Sequence, residues 1–160
     1  MSTVGKLAEK IVIVTGAARG IGAAMAKRLI DEGASVMLAD MLDREGAALA
    51  AELGERAQYT HLDVREEADW DKAIAATMAK FGRIDVLVNN AGVQRAGAVV
   101  QMPPSEFRFI VEVNFIGPYL GMPAVIPRMM EAGSGSIINV ASVNGLVGAP
   151  GFAAYAGSKH

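Results

Sequence analysis

Tyr155 and Lys159 stand four residues apart near the end of the sequence, which on a helix places both side chains on one face. A free phenol gives up its proton only near pH 10. An ammonium about 6 Å away, at an effective dielectric of about 20, favours the phenolate by roughly 2.8 kcal/mol. Such a pair could move a proton to or from an alcohol at neutral pH. Taken alone, the same two residues also describe a surface tyrosine beside a lysine.

A second chemical signature is Thr15-Gly16-Ala17-Ala18-Arg19-Gly20-Ile21-Gly22, which follows an apolar run and opens a helical pattern. Glycines let the backbone turn sharply and approach a ligand. A helix start offers a pyrophosphate unpaired N–H groups and positive dipole. The spacing G-x-x-x-G-x-G lacks the Gly-Lys-Ser/Thr of a P-loop, which disfavours ATP chemistry. By itself such a loop could also be a turn that binds nothing. Asp40, 18 residues after Gly22, ends the second apolar run. In such folds an acid there meets the adenosine ribose hydroxyls. Its charge would repel the extra 2′-phosphate of NADP, so NAD is the expected cofactor. Asp40 could instead simply open the next helix, and Arg19 could attract a 2′-phosphate or face solvent.

These groups need a frame to hold them. Ile11-Val12-Ile13-Val14, Val36-Met37-Leu38-Ala39, Val86-Leu87-Val88 and Ile137-Ile138-Asn139-Val140 read as strands buried on both faces of a parallel sheet. Ala57-Gln58-Tyr59-Thr60-His61 is a weaker fifth candidate. Ile21, Met25 and Leu29 mark one helical stripe, and Trp70, Ala73, Ile74, Met78 and Phe81 another. Asp43 is expected to cap a helix that runs to about Leu53 and stops at Gly54. The alternation predicts an α/β, doubly wound parallel sheet, Rossmann-like, in a single domain spanning 1–160.

Composition narrows the function. The chain has 160 residues, 52% hydrophobic and 20% charged, enough to bury a real core. Without cysteine it has no disulfide framework or thiolate metal cluster, which suits a reducing cytoplasm. No His/Cys cluster suggests a metal site. Fifteen basic against 17 acidic side chains leave no excess to neutralise a nucleic-acid backbone. Lys6, Glu9 and Lys10 break up the N-terminus, which does not resemble an export signal. The apolar stretch Phe115 to Pro127 carries Pro118, Pro123 and Pro127 and falls short of the roughly 20 residues a spanning helix needs. The expectation is a cytoplasmic protein with neither a nucleic-acid nor a membrane partner.

Taken together, these residues resemble the short-chain dehydrogenase/reductase family over essentially the whole chain. Thr15-Gly16-x-x-x-Gly20-Ile21-Gly22 is similar to its cofactor loop, Asp63-Val64 to its adenine contact, and Asn89-Asn90-Ala91-Gly92 to its fourth-strand motif. Asn114 with Gly117 resembles the start of its long fifth helix, and Ser142 with Tyr155-x-x-x-Lys159 its catalytic set. Leu38-Ala39-Asp40-Met41-Leu42-Asp43 and His61-Leu62-Asp63-Val64 look like its NAD-dependent, hydroxysteroid-type branch. The resemblance implies that Tyr155 exchanges the alcohol proton while Ser142 hydrogen-bonds the substrate oxygen. Lys159 would also hold the nicotinamide ribose, and Asn114 would support a relay water. Gly16, Arg19, Gly20, Ile21, Gly22, Asp40, Asp63, Val64, Asn90, Ala91 and Gly92, with Tyr155 and Lys159, would contact the cofactor. The implied activity is hydride transfer between NAD(H) and a hydrophobic secondary alcohol or ketone, in a protein that forms a homo-oligomer. The alternatives are an NADP-dependent carbonyl or 3-oxoacyl reductase, and a non-catalytic dinucleotide-binding module.

Val143 to Phe152, with Leu146, Val147, Pro150 and Phe152, would border the substrate or pack as a loop. His61 and Trp70 read as structural residues, and Met122, Met129 and Met130 as packing residues. Pro118 withholds a hydrogen bond from the carbonyl of Asn114, which would free that carbonyl for the relay water, and Pro123 should disturb the helix. In the family roughly a third more of the fold follows Lys159, so an N-terminal fragment is expected, with negligible turnover. Ile137 to Val140 would then be an exposed edge, and the helix of Tyr155 would fray. A solvated Lys159 would favour the phenolate by only about 0.7 kcal/mol.

Overall fold

The computed structural model describes residues 5–160. Five parallel strands, β1 (Ile11–Thr15), β2 (Ser35–Asp40), β3 (Ala57–His61), β4 (Val86–Asn89) and β5 (Ser136–Asn139), lie in the order β3-β2-β1-β4-β5. On one side β1 is in register with β2 from Ile11 opposite Ser35 to Thr15 opposite Ala39. On the other it meets β4 from Val12 opposite Val86 to Val14 opposite Val88. Strand order therefore reverses at β1, and a crevice opens between the loops leaving β1 and β4, where open α/β sheets take their ligands.

Helices α1 (Gly20–Asp31), α2 (Asp43–Leu53), α3 (Glu67–Phe81), α4 (Pro104–Val111), α5 (Gly117–Glu131) and α6 (Ala153–Lys159) complete the chain. Side chains alternate across each strand. Ile13, Met37 and Leu87 face Trp70 and Ala73 of α3 and Val125 and Met129 of α5. Val12, Val14, Val36, Leu38 and Val88 face Ala26 of α1 and Leu49 of α2. Both faces are apolar, so the central strands show no polar alternation in sequence. β5 breaks this pattern. It lies at the sheet edge with only Ile137 partly covered, so burial on both faces fails there and an exposed edge is found instead.

Three local expectations also change. Ile21 is 71% exposed, and α1 buries Gly22 and Ala26, because the helix start must press against the turn of the glycine loop. Leu42, not Asp43, holds the cap position of α2. The Asp43 carboxylate is drawn away to accept the Tyr59 hydroxyl, at 2.6 Å. Met130 is 75% exposed, whereas Met129 packs as expected.

Pro104–Glu131 is one continuous helix of 28 residues. Between α4 and α5 it passes through a π-helical turn, Glu112–Ile116, where the Gly117 N–H reaches back to the Glu112 carbonyl. Pro118, which has no N–H to donate, follows this wider turn. Pro123 and Pro127 lie inside α5 without ending it, so the irregularity sits at the π turn rather than at Pro123. By length and composition this helix could cross a membrane, which corrects the reading of Phe115 to Pro127 as too short and broken. In the fold it buries Ile110, Gly117, Gly121, Val125 and Met129 and leaves Phe115, Tyr119 and Ile126 exposed.

Gly117 and Gly121 let this helix close on the core. A Cβ at 117 would stand 2.7 Å from Val64 Cγ2, and one at 121 would stand 2.5 Å from Trp70 Cη2. Trp70 is fully buried, and its indole N–H donates to the Val64 carbonyl at 2.9 Å. Gly121→Ala should therefore destabilise the fold by about 1–3 kcal/mol through overpacking. A urea midpoint equal to that of the parent chain would contradict this close approach.

Candidate functional site

Thr15 ends β1 and ties it to the loop after β4. Its Oγ1 accepts the N–H groups of Asn90 and Ala91, at 3.0 and 2.9 Å. The Asn90 amide donates in return to the carbonyls of Thr15 and Gly16, at 2.8 and 3.2 Å. Gly16 has φ +64, and a Cβ there would stand 2.8 Å from Ala91 Cα. At Gly22 a Cβ would stand 2.1 Å from the Gly16 carbonyl oxygen. Gly20 has φ +59, and a Cβ there would meet nothing within 4 Å. Helix α1 starts at this open floor, with Arg19 at its cap, no side-chain cap and no acid in the first turn. An open cradle at the positive end of a 12-residue helix fits a phosphate-bearing cofactor.

Two carboxylates follow the neighbouring strands, Asp40 at the end of β2 and Asp63 after β3. Asp40 Oδ2 accepts the Ala18 N–H at 2.9 Å, and Oδ1 accepts the Leu42 N–H at 3.1 Å. Asp63 is buried and receives the Arg65 guanidinium through both oxygens. That hydrogen-bonded guanidinium, which also lies 5.2 Å from the Phe109 ring centroid, holds Asp63 below the usual carboxylate range. Val64 is buried beside it.

Asn114 and Lys159 converge at Gly92 in the loop after β4, and Tyr155 lies one helical turn before Lys159 on α6. Asn114 lies buried in the π turn. Its Oδ1 accepts the Val93 N–H at 2.8 Å, and its Nδ2 donates to the Val93 carbonyl at 2.8 Å and to Ser158 Oγ at 2.9 Å. Ser158 Oγ donates onward to the Tyr155 carbonyl at 2.8 Å. Lys159 Nζ donates to the Val140 carbonyl at 2.9 Å. A Cβ on Gly92 would lie 3.3 Å from Lys159 Nζ and 3.4 Å from Asn114 Oδ1, so the three residues meet at one point. Ser142 caps the turn Val143–Gly145, its Oγ accepting the Asn144 N–H at 3.2 Å. Its own proton and the hydroxyl of half-buried Tyr155 bond no protein acceptor among the described residues.

Lys159 is not the solvated end of a frayed helix. Burial pushes its ammonium below the usual lysine range. The last turn is held by the His160 N–H, which donates to the Ala156 carbonyl at 3.1 Å. His160 Nδ1 also lies 2.7 Å from the Gly145 carbonyl oxygen. Val140 takes one of the ammonium's three donors.

Beside Ser142, the side chains of Val143, Leu146 and Val147 are exposed and form an apolar rim. A separate cavity of about 310 Å³ borders the first turn of α6, with Met102, Phe107 and Ala153 in its wall, but Asn114, Ser142, Tyr155 and Lys159 are not among its lining residues. Ser158 and Val93 escape sequence reasoning. A serine between two site residues carries no periodic signal, and its burial against Asn114 depends on how α6 meets the π turn.

A family described as short chain dehydrogenase matches residues 10–160. A 3-alpha-(or 20-beta)-hydroxysteroid dehydrogenase of Mycobacterium tuberculosis (strain ATCC 25618 / H37Rv) is 43% identical over 155 residues, covering 97% of this chain and 60% of that protein. A trans-4-hydroxycyclohexanecarboxylate dehydrogenase of Sinomonas cyclohexanicum is 43% identical over 163 residues, covering 96% of this chain and 62% of that protein. Among solved structures, a 3-ketoacyl-(acyl-carrier-protein) reductase from Brucella melitensis complexed with NADH superposes with a TM-score of 0.92 at 38% identity, covering 96% of this chain and 66% of that one. The chain thus spans about three fifths of the length of these curated relatives.

The buried Asp63–Arg65 pair gives a pH dependence of known sign. The folded state holds Asp63 below its unfolded value of about 3.9. Its contribution is therefore present above about pH 4 and is lost as pH falls through the folded value. The stability gap between the parent and Asp63→Asn should be widest near neutrality and narrow below about pH 4, as read by denaturant unfolding across that range. A gap that does not change with pH would show that Arg65 does not stabilise the carboxylate.

Proposed function

The chain belongs to the short-chain dehydrogenase family, and on that premise we propose that it serves hydride transfer between NAD(H) and a hydrophobic secondary alcohol or ketone. The observation that carries this reading is the meeting of Lys159, Asn114 and Gly92 one helical turn from Tyr155, beside the crevice between β1 and β4. Two relatives have names that place a hydroxyl on a ring, a hydroxysteroid and a hydroxycyclohexanecarboxylate. Those names, with the exposed apolar rim of Val143, Leu146 and Val147, support a cyclic, hydrophobic, hydroxysteroid-like substrate.

In this proposal the dinucleotide, when bound, supplies the hydride acceptor or donor. Gly16, Arg19, Gly20, Ile21, Gly22 and the start of α1 hold its pyrophosphate, Asp40 its adenosine ribose, and Asp63 with Val64 its adenine. Asn90, Ala91 and Gly92 line the nicotinamide end, where Lys159 takes the ribose with the donors that Val140 leaves free. Ser142 donates its uncommitted proton to the substrate oxygen and holds it against Tyr155. The Tyr155 phenolate takes the alcohol proton in oxidation, and in reduction the Tyr155 hydroxyl gives its proton to the substrate oxygen. Lys159, in a partly desolvated position, stabilises the phenolate left by that transfer. Asn114 is clamped to Val93, and Pro118 leaves its carbonyl without the helical donor, which suits a relay water. The preference for NAD over NADP rests on the Asp40 carboxylate standing over the loop.

The exposed face of α5, with Phe115, Tyr119 and Ile126, is suited to packing in a homo-oligomer, and the absence of cysteine suits the cytoplasm. A second reading, a 3-oxoacyl reductase, is favoured by the similarity to the ketoacyl reductase structure. In a protein of the full length of these relatives that contains this chain, Tyr155→Phe, assayed with NAD and a cyclic secondary alcohol, should lower kcat by about 10²- to 10⁴-fold while NADH affinity stays within about twofold. Unchanged turnover would remove Tyr155 from the chemistry. NADH binding by that full-length protein without turnover on alcohols or ketones would favour a dinucleotide-binding module.

A further inference from the structure

Asp40 is held through both its carboxylate and its backbone carbonyl. Its two side-chain oxygens take the Ala18 and Leu42 N–H groups. Its backbone carbonyl accepts the Leu62 N–H at 2.9 Å and stands 2.7 Å from the Tyr59 hydroxyl. That hydroxyl also lies 2.6 Å from Asp43 Oδ1, and its single proton is shared between the two acceptors. Asp43 Oδ1 faces His61 Nδ1 at 2.7 Å, and His61 Nε2 lies 3.6 Å from Asp69. The Tyr59 ring fills the space a side chain at Gly46 would need, since a Cβ there would stand 2.2 Å from the ring carbons. Tyr59 thus spans three elements, β3, the end of β2 and the first turns of α2.

We propose that Tyr59 is a positioning residue for dinucleotide selection, its hydroxyl fixing the end of β2 so that the Asp40 carboxylate stays over the glycine loop. This rests on the reading that Asp40 selects NAD. Burial, with the Asp43 carboxylate beside it, pushes the Tyr59 phenol well above the usual tyrosine range. It therefore remains a donor at any pH at which the protein works. Tyr59 touches no cofactor group in this scheme. Its effect passes through Asp40, so it should alter the ratio of NADH to NADPH affinity rather than dinucleotide affinity in general.

NADH and NADPH binding to the full chain, followed by the fluorescence of the reduced nicotinamide, tests this in three variants. Tyr59→Phe keeps the ring against Gly46 and should weaken NADH binding about three- to tenfold, the worth of one hydrogen bond, with NADPH binding nearly unchanged. Asp43→Asn, which weakens the competing acceptor and leaves the hydroxyl proton to the Asp40 carbonyl, should keep the ratio within about twofold of the parent. Asp40→Ala should abolish the preference for NADH. Equal weakening of both dinucleotides by Tyr59→Phe, or a ratio within about twofold of the parent in that variant, would overturn the role of Tyr59 while leaving that of Asp40 standing. An unchanged ratio in Asp40→Ala would instead remove the reading on which the inference rests.

Discussion

How closely the loops leaving β1 and β4 can approach each other governs everything built above the sheet. Thr15 and Asn90 bridge them with four hydrogen bonds between 2.8 and 3.2 Å. That bridge forms only because Gly16 and Gly22 put no Cβ into the gap. Once it forms, the backbone N–H groups of α1 have one orientation, and the floor of the crevice is set by main-chain atoms rather than by mobile side chains. The candidate binding cradle is thus a by-product of strand pairing, built from hydrogen-bonded backbone.

The group around Asn114 and Lys159 is assembled differently. Asn114 makes two of its three amide hydrogen bonds to a single residue, Val93, and the third to Ser158 of α6. A π turn supplies its position, and the glycines at 117 and 121 supply the close helix contact behind it. Here polar side chains at a helix irregularity do what backbone pairing does across the crevice. The two halves of the site therefore answer to different parts of the sequence, a short glycine motif for one and scattered single residues for the other.

This difference explains what could be read from sequence. The central strands and α3 were legible because burial on two faces, or along one helical stripe, leaves a periodic trace, as in Val12 to Val14 and in Trp70 to Phe81. The motif residues Gly16, Gly20 and Gly22 were legible because their conformation or contacts demand glycine. Asp43 was misplaced as a cap, since its attraction to Tyr59 and His61 depends on β3, a neighbour in space only. The prolines of the long helix read as interruptions because sequence shows the missing donor and not the π turn next to it. The environment of Lys159 was misjudged for a related reason, as its neighbours Val140 and Gly92 come from the segments that follow β5 and β4.

Among the described residues β5 has a partner strand on one side only, and the residue that follows it holds the lysine. The Val140 N–H is anchored on Asn89 at 2.9 Å, and the Val140 carbonyl is the group that receives Lys159. Any polypeptide that zips onto this border would stiffen the segment carrying that carbonyl. The ammonium is thus held by the residue that follows the sheet's outermost strand.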